Sequence, residues 1–331
     1  MKLVRSFWTL LAGVALGIGG IAAWSAFQPS VEARPPRLPV VAVGSRITWN
    51  VPYVDGASEQ QTLDVYAPPD VKGAPVVVYV HRGEWARGDK SEVSYKPKLF
   101  NERGIVFVSV NYRLSDVARH PAQVDDVAAA VRWVVDHIAE HGGSPQRIVL
   151  MGHSAGCHIA SLVGLDPRPL AKVGLTPDVL RGVVCWSGGA YDLAAKVAEG
   201  GMYKPYIEKN FGAERPGLDD ASPIHHADEA RPNVRFLFVS ASEGNPSSRA
   251  LSETMTKKIE QAGGRASALT LEGKTHFTAD YDCGRPEDPS TRAPRSPASS
   301  RKPRRSSRTD AIRRASPVGG GAPPRHVPFA R

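Results

Sequence analysis

Residues 148–165 read Ile-Val-Leu-Met-Gly-His-Ser-Ala-Gly-Cys-His-Ile-Ala-Ser-Leu-Val-Gly-Leu. A short apolar strand, Ile148–Met151, runs straight into Gly-x-Ser-x-Gly, and a helical pattern follows over 155–164. The turn between them is sharp, so a side chain at Gly152 or Gly156 would collide with neighbouring backbone. Ser154 is left at the tip with its hydroxyl exposed. The helix N-terminus behind it favours developing negative charge. The five-residue pattern alone is common by chance in Gly-rich chains; its strand–turn–helix setting makes it a candidate nucleophile.

Outward from this turn, strands and helices alternate. Val76–Val80 and Ile105–Val110 are β-branched runs of strand length. Between residues 122 and 137, Val124, Val127, Ala128, Val131, Val134 and Val135 recur at helical spacing. Val183–Trp186, Phe236–Val239 and Ser267–Leu271 read as further strands, and Ser252–Ala262 as a helix that ends at Gly263-Gly264. Continuous apolar strands alternating with helices predict an α/β fold whose mostly parallel sheet is covered on both faces. There is no internal repeat, and the pattern predicts one domain over residues 40–291.

Four motifs in order now carry a resemblance: VVVYVHRGEW (Val76–Trp85), VSVNYRLSDVARHPAQVDDVAAAVRW (Val108–Trp133), GHSAGCH (Gly152–His158) and GKTHF (Gly273–Phe277). In that combination the chain resembles the α/β-hydrolase superfamily, in its carboxylesterase and arylformamidase-like branch. The resemblance implies a serine hydrolase acting on small carboxylic esters through an acyl-enzyme. Ser154 would be the nucleophile, and His276, in a loop after the last strand, the general base. The oxyanion hole would be built from the backbone N–H groups of Ala155, Gly83 and Glu84. No long lid insertion is evident between the motifs, which points to a small ester. An arylformamidase using the same residues, and an inactive binding protein on the same fold, are the alternatives.

Two positions depart from the family pattern. Arg82 stands where the first glycine of HGG is expected, and would be strained by about 1–2 kcal/mol if that position needs positive φ. After the strand Phe236–Val239 the chain reads VSASEGNPSSRA, with no Asp at the family's acid position. Glu243 carries the charge needed beside an imidazolium. Asn245 fits by spacing without a charge, and Asp280 and Asp282 are the further acids nearby. Asp192 is read as structural, and His153, His158, His225 and His226 as packing or surface residues.

The chain has 331 residues and a net charge of +9, but 12 Lys/Arg against 3 Asp/Glu lie between Gly284 and Arg331. That leaves 30 basic and 30 acidic residues upstream. The basicity is a tail, so no nucleic-acid partner is expected of the domain. Three scattered cysteines make neither a disulfide framework nor a zinc spacing. No phosphate-binding glycine motif is present, so neither metal nor cofactor is expected.

Residues 1–39 open with Lys2 and Arg5, then an uncharged run from Phe7 to Phe27 and a Pro-rich linker. They read as a signal peptide or a membrane anchor that leaves the domain outside the cytoplasm, in the periplasm or tethered, with membrane contact through this segment only. Residues 292–331, rich in Arg, Pro and Ser without periodicity, predict a disordered basic tail. From about Ala293 the composition is also what an out-of-frame reading of a GC-rich gene yields, in place of a final amphipathic helix.

Overall fold

Alternation along the strands divides the apolar residues between two sheet faces. In the computed structural model, which describes residues 38–243 and 246–288, eight strands form one sheet. They are β1 (Arg46–Pro52), β2 (Thr62–Ala67), β3 (Ala74–Val80), β4 (Val106–Val110), β5 (Gly143–His153), β6 (Leu180–Trp186), β7 (Arg235–Ala241) and β8 (Arg265–Leu271). Their spatial order is β1-β2-β4-β3-β5-β6-β7-β8. The β1–β2 and β2–β4 pairs are antiparallel, and every pair from β4 to β8 is parallel.

The helices among the described residues are α1 (Lys96–Asn101), α2 (Ala122–His137), α3 (Ala155–Leu165), α4 (Pro167–Lys172), α5 (Leu193–Glu199), α6 (Lys204–Phe211), α7 (Arg215–Asp220), α8 (Pro246–Gln261) and α9 (His276–Tyr281). Val76, Val78, Val80, Val106, Val108, Val110, Ile148 and Leu150 point to one face, where they join the buried faces of α2 and α3 in the main core. Val77, Tyr79, Phe107 and Met151 point to the other face, packed with Leu99 and Phe100 of α1. The parallel register brings Val80 beside Gly152, His153 beside Trp186, and Trp186 beside Val239. The carboxyl ends of β3, β5, β6 and β7 therefore share one edge, the edge at which sites in open α/β sheets form.

The predicted parallel core is present, with several strands longer than their apolar runs. β5 starts at Gly143, and β7 and β8 each start at an exposed arginine, Arg235 and Arg265. The antiparallel β1 and β2 went unpredicted. β1 is mostly exposed, and its register against β2 is interrupted between Thr48 and Val51, so no clean alternation marks it. The expectation that no long insertion interrupts the motifs is corrected: residues 187–234 leave the sheet between β6 and β7 and carry α5, α6 and α7. The cysteine reading is corrected too. Cys157 of α3 and Cys185 of β6 are disulfide-bonded with their Cα atoms 4.7 Å apart, a pairing across two adjacent elements that spacing did not reveal. No described helix is long and apolar enough to cross a membrane, and the run from residue 7 to 27 lies outside the described residues.

Candidate active site

β5 and α3 meet at Ser154, whose φ of 55° and ψ of −115° no ordinary L residue adopts without strain. Such a conformation costs about 1–3 kcal/mol and persists only where the surroundings impose it. Here a Cβ on Gly152 would overlap the Gly156 carbonyl, and one on Gly156 would overlap the Val80 and His81 carbonyls. The collision inferred for both positions is thus present. The second also shows how closely α3 packs under the end of β3. The Ser154 amide donates to the Trp186 carbonyl at 3.2 Å, and the side chain is half-buried at the carboxyl edge of the sheet.

The loop after β3 lies beside this turn. Its left-handed residues are Gly83, Glu84 and Trp85, with φ of 122°, 51° and 60°. Arg82 is not among them, so the strain feared at that position is absent; it falls one to three residues later. A Cβ on Gly83 would overlap the Arg87 carbonyl, and the Gly83 carbonyl accepts from the amides of Ala86 and Arg87 at 2.9 and 3.0 Å. The amides of Gly83, Glu84 and Ala155 donate to no acceptor among the described residues, which leaves them available to an oxyanion. Tyr112 of the Asn-Tyr-Arg-Leu segment stacks on His81 at 4.3 Å and donates to its carbonyl at 3.2 Å. The Trp85 indole donates to His158 Nδ1 at 3.3 Å, and His158 Nε2 donates to the Ala221 carbonyl at 2.8 Å. Burial pushes the His158 imidazole down to about 3, so it stays neutral and packs, as expected. Phe211 of α6 meets Trp85 edge-on at 4.9 Å, which brings the β6–β7 insertion against this loop.

The general-base candidate His276 sits where its sequence predicts, after the last strand, but it is not in a loop. It is the first residue of α9, capped by Thr275, whose hydroxyl accepts from the Thr278 amide. Its Nδ1 lies 3.0 Å from Ser187 Oγ at the end of β6. Its carbonyl accepts from His153 Nε2 at 3.0 Å, and the two rings are 4.7 Å apart. His153 immediately precedes Ser154, and Ser187 immediately follows the residue that holds the Ser154 amide. The candidate nucleophile and candidate base are thereby joined through two short routes, with no direct hydrogen bond between their side chains among the described residues. Burial holds the His276 imidazole below the ordinary histidine value, with Asp280 and Glu84 opposing that effect and Arg82 adding to it.

The acid candidates fall in different surroundings. Glu243 is exposed, and its amide donates to the Lys274 carbonyl at 2.9 Å, which sets the β7 loop beside the His276 segment. Asn245 lies outside the described residues. Asp282 pairs with Lys274 at 2.9 Å. Asp280 is 1% exposed, and Lys96 Nζ reaches its carboxylate at 2.6 Å. Burial alone would raise the Asp280 carboxyl; Lys96, by its charge and its hydrogen bond, and Arg82 outweigh it and hold it well below the usual carboxylate range. Asp192 caps α5 by accepting from the Ala195 amide, the structural role read for it.

Residues 63–171 match the BD-FAE family model. Esterase LipQ of Mycobacterium tuberculosis is 32% identical over 60% of this chain and 49% of its own length. A probable isoprenylcysteine alpha-carbonyl methylesterase of Oryza sativa is 28% identical over 67% of this chain and 56% of its own. The chain thus spans about half the length of the curated relatives it matches. Among solved structures, esterase B of Lactobacillus rhamnosis superposes with a TM-score of 0.63 at 20% identity, covering 86% of this chain and 90% of that one. The chain has the α/β-hydrolase fold and is similar in sequence to carboxylesterases over part of their length.

Sequence reasoning passed over Ser187 and Lys96, read His153 as a packing residue, and weighed Asp280 only as a candidate acid. His153 is the variable position of Gly-x-Ser-x-Gly, and its spacing says nothing of the carbonyl it meets 123 positions later. Ser187 ends a strand and looks like any turn serine. Lys96 reads as a solvated lysine, yet it is fully buried.

Proposed function

We propose that this protein is a serine carboxylesterase acting on small carboxylic esters, exported from the cytoplasm by its N-terminal segment. Ser154 Oγ attacks the ester carbonyl while His276 Nε2 takes its proton. For Nε2 to be the free base, Nδ1 carries the ring proton and donates it to Ser187 Oγ. The amides of Ala155, Gly83 and Glu84 receive the negative charge of the tetrahedral intermediate. His276 returns the proton to the leaving alcohol, then draws one from the water that attacks the acyl-enzyme and hands it to Ser154 Oγ as the Ser154–acyl bond breaks and the acid leaves. Glu243, exposed on the β7 loop that bonds the His276 segment, would have to turn inward to serve as the triad acid; the carboxylates that already act on the His276 ring are Asp280 and Glu84. The observation that carries the proposal is the strained Ser154 between β5 and α3, beside a loop with three consecutive left-handed residues. The inactive alternative drew on Arg82 and the missing Asp; with Arg82 free of positive φ, its first motive is gone.

Short-chain p-nitrophenyl esters test the proposal. Ser154→Ala is expected to lower kcat by about 10⁶-fold, the scale of removing a serine nucleophile, with folding unchanged. Equal turnover in the variant removes Ser154 as nucleophile.

A further inference from the structure

Asp280 exchanges no proton in that chemistry, yet four elements converge on it. Tyr79 of β3 donates to its Oδ1 at 2.9 Å. Lys96 of α1 reaches Oδ1 at 2.6 Å and the Asp280 carbonyl at 3.0 Å. Arg82 Nε and His153 Nδ1 both face Oδ2 at 3.7 Å. Tyr79, Lys96 and His153 are fully buried, and a buried ion pair is often no better for stability than apolar packing of the same volume. Stability is therefore a poor account of why a lysine and an aspartate are paired at this depth.

Their place in α9 gives a better one. Asp280 is one turn beyond His276 and on the same side of the helix. A helix of six residues does not hold itself in water, so its anchors determine where its first residue stands. Those anchors are Lys96 and Tyr79 on Asp280, Trp186 Nε1 on the Ala279 carbonyl at 2.7 Å, Arg82 Nη2 on the Tyr281 hydroxyl at 2.7 Å, and His153 on the His276 carbonyl. His153 has a fixed tautomer. Only Nε2–H can meet a carbonyl, and burial keeps the ring neutral, so Nδ1 presents a lone pair and has no hydrogen-bond partner.

We propose that Asp280 and His153 are positioning residues for the base. The carboxylate gripped by Lys96 and Tyr79 fixes the rotation and height of α9, and His153 ties that helix to the nucleophile at the adjoining position. This rests on the esterase reading above.

The test is steady-state hydrolysis of p-nitrophenyl butyrate by wild type, Asp280→Asn, His153→Phe and His153→Gln, normalised to folded protein by near-ultraviolet circular dichroism. Misplacing a catalytic group by about 1 Å costs on the order of 10²-fold. Asp280→Asn and His153→Phe are expected to lower kcat about 10- to 100-fold with KM little changed. His153→Gln, which restores a donor near the Nε2 position, is expected to recover most of that loss. The groups facing the His276 ring are Asp280 on α9, Arg82 and Glu84 on the loop after β3, His153 on β5 and Ser187 just after β6. Losing the Asp280 charge leaves Arg82 and Lys96 less compensated. The acid limb of kcat/KM in Asp280→Asn is then expected at lower pH than in wild type, a change that a purely structural role would not make. Normal kcat and an unmoved acid limb per folded molecule, with only a lower Tm, overturn the proposal. If Asp280→Asn does not fold, the His153 pair decides, and full kcat in His153→Phe overturns it. A wild type without ester turnover or phosphonate labelling at Ser154 removes the esterase reading and this proposal together; an active wild type with equally active variants removes this proposal alone.

Discussion

Gly83 is the residue at which backbone shape and chemistry meet most tightly. Its φ of 122° belongs to glycine, and the Arg87 carbonyl occupies the place a Cβ would take. Any side chain there must open the turn that carries the Gly83 and Glu84 amides beside the Ser154 turn. Gly83→Ala is expected to lower kcat by about 10²–10³-fold, the cost of losing an oxyanion donor, while KM changes little, because the donors act on charge that appears only in the transition state. Stopped-flow or steady-state turnover on a short ester checks it, and an unchanged kcat contradicts the assignment. Arg82 next door shows why sequence could not place the strain. A family glycine replaced by arginine looks like a damaged loop. The backbone instead puts its left-handed run at Gly83–Trp85 and spends the guanidinium on Tyr281 at 2.7 Å and Glu92 at 3.0 Å. With those partners, and lying over the Phe277 and Tyr281 rings, Arg82 is engaged within the fold rather than offered to an anionic substrate.

Among elements, α9 depends most on its neighbours, and Arg82 is one of its holds. Arg82→Gly, which restores the family's glycine, is expected to destabilise by about 1–3 kcal/mol through lost charge-assisted hydrogen bonds, with no gain in rate. Urea unfolding beside kcat measures both. A faster enzyme of unchanged stability would mean that the arginine is strained after all. How much could be read beforehand follows from what each element buries. α2 was legible to the residue, because one stripe of it is buried against α3 and β5 while the opposite side is solvated. β3 and β4 were legible because both faces are covered, which leaves a continuous β-branched run. β1 was not, being an edge strand with a mostly exposed pattern. The three short helices of the β6–β7 insertion were not either; they carry few apolar residues each, and Leu193, Ile207 and Leu218 join the main core without a helical stripe to announce them. Within the site, Ser154, His276, Gly83 and Ala155 came from motifs. The buried Lys96–Asp280 pair came only from the fold, because two charged residues 184 positions apart give no local signal.

At the scale of the molecule, the two sheet faces are unequally covered. α2, α3 and α8 pack on one face, and α1 covers the β2–β4 side of the other. Over β5 to β7 that second face carries a groove of about 300 Å³ lined by Val149, Met151, Val184, Trp186 and Leu237, with Leu269 of β8 48% exposed nearby. Leu99 and Phe100 of α1 and Cys283 after α9 border this groove. The tail after residue 292 lies outside the described residues, so the expectation that it is out of frame stands on composition, and the part-open groove gives it a physical consequence. A covering helix would bury several of these side chains at about 1.5–3 kcal/mol each. One of the two other reading frames past this point is expected to encode an amphipathic stretch of about 10–15 residues, long enough for three to four helical turns. Translating the gene in both frames checks it, and its absence from both would make the tail a genuine part of the protein. The central claim, that Ser154 is an activated nucleophile beside His276 and the Gly83–Glu84 loop, is tested most directly by a fluorophosphonate and peptide mass spectrometry. The account predicts one covalent phosphonyl adduct, on the peptide holding Gly152–Gly156, that fails to form in His276→Ala. An unlabelled Ser154 in folded wild-type protein, or labelling that does not depend on His276, would contradict it.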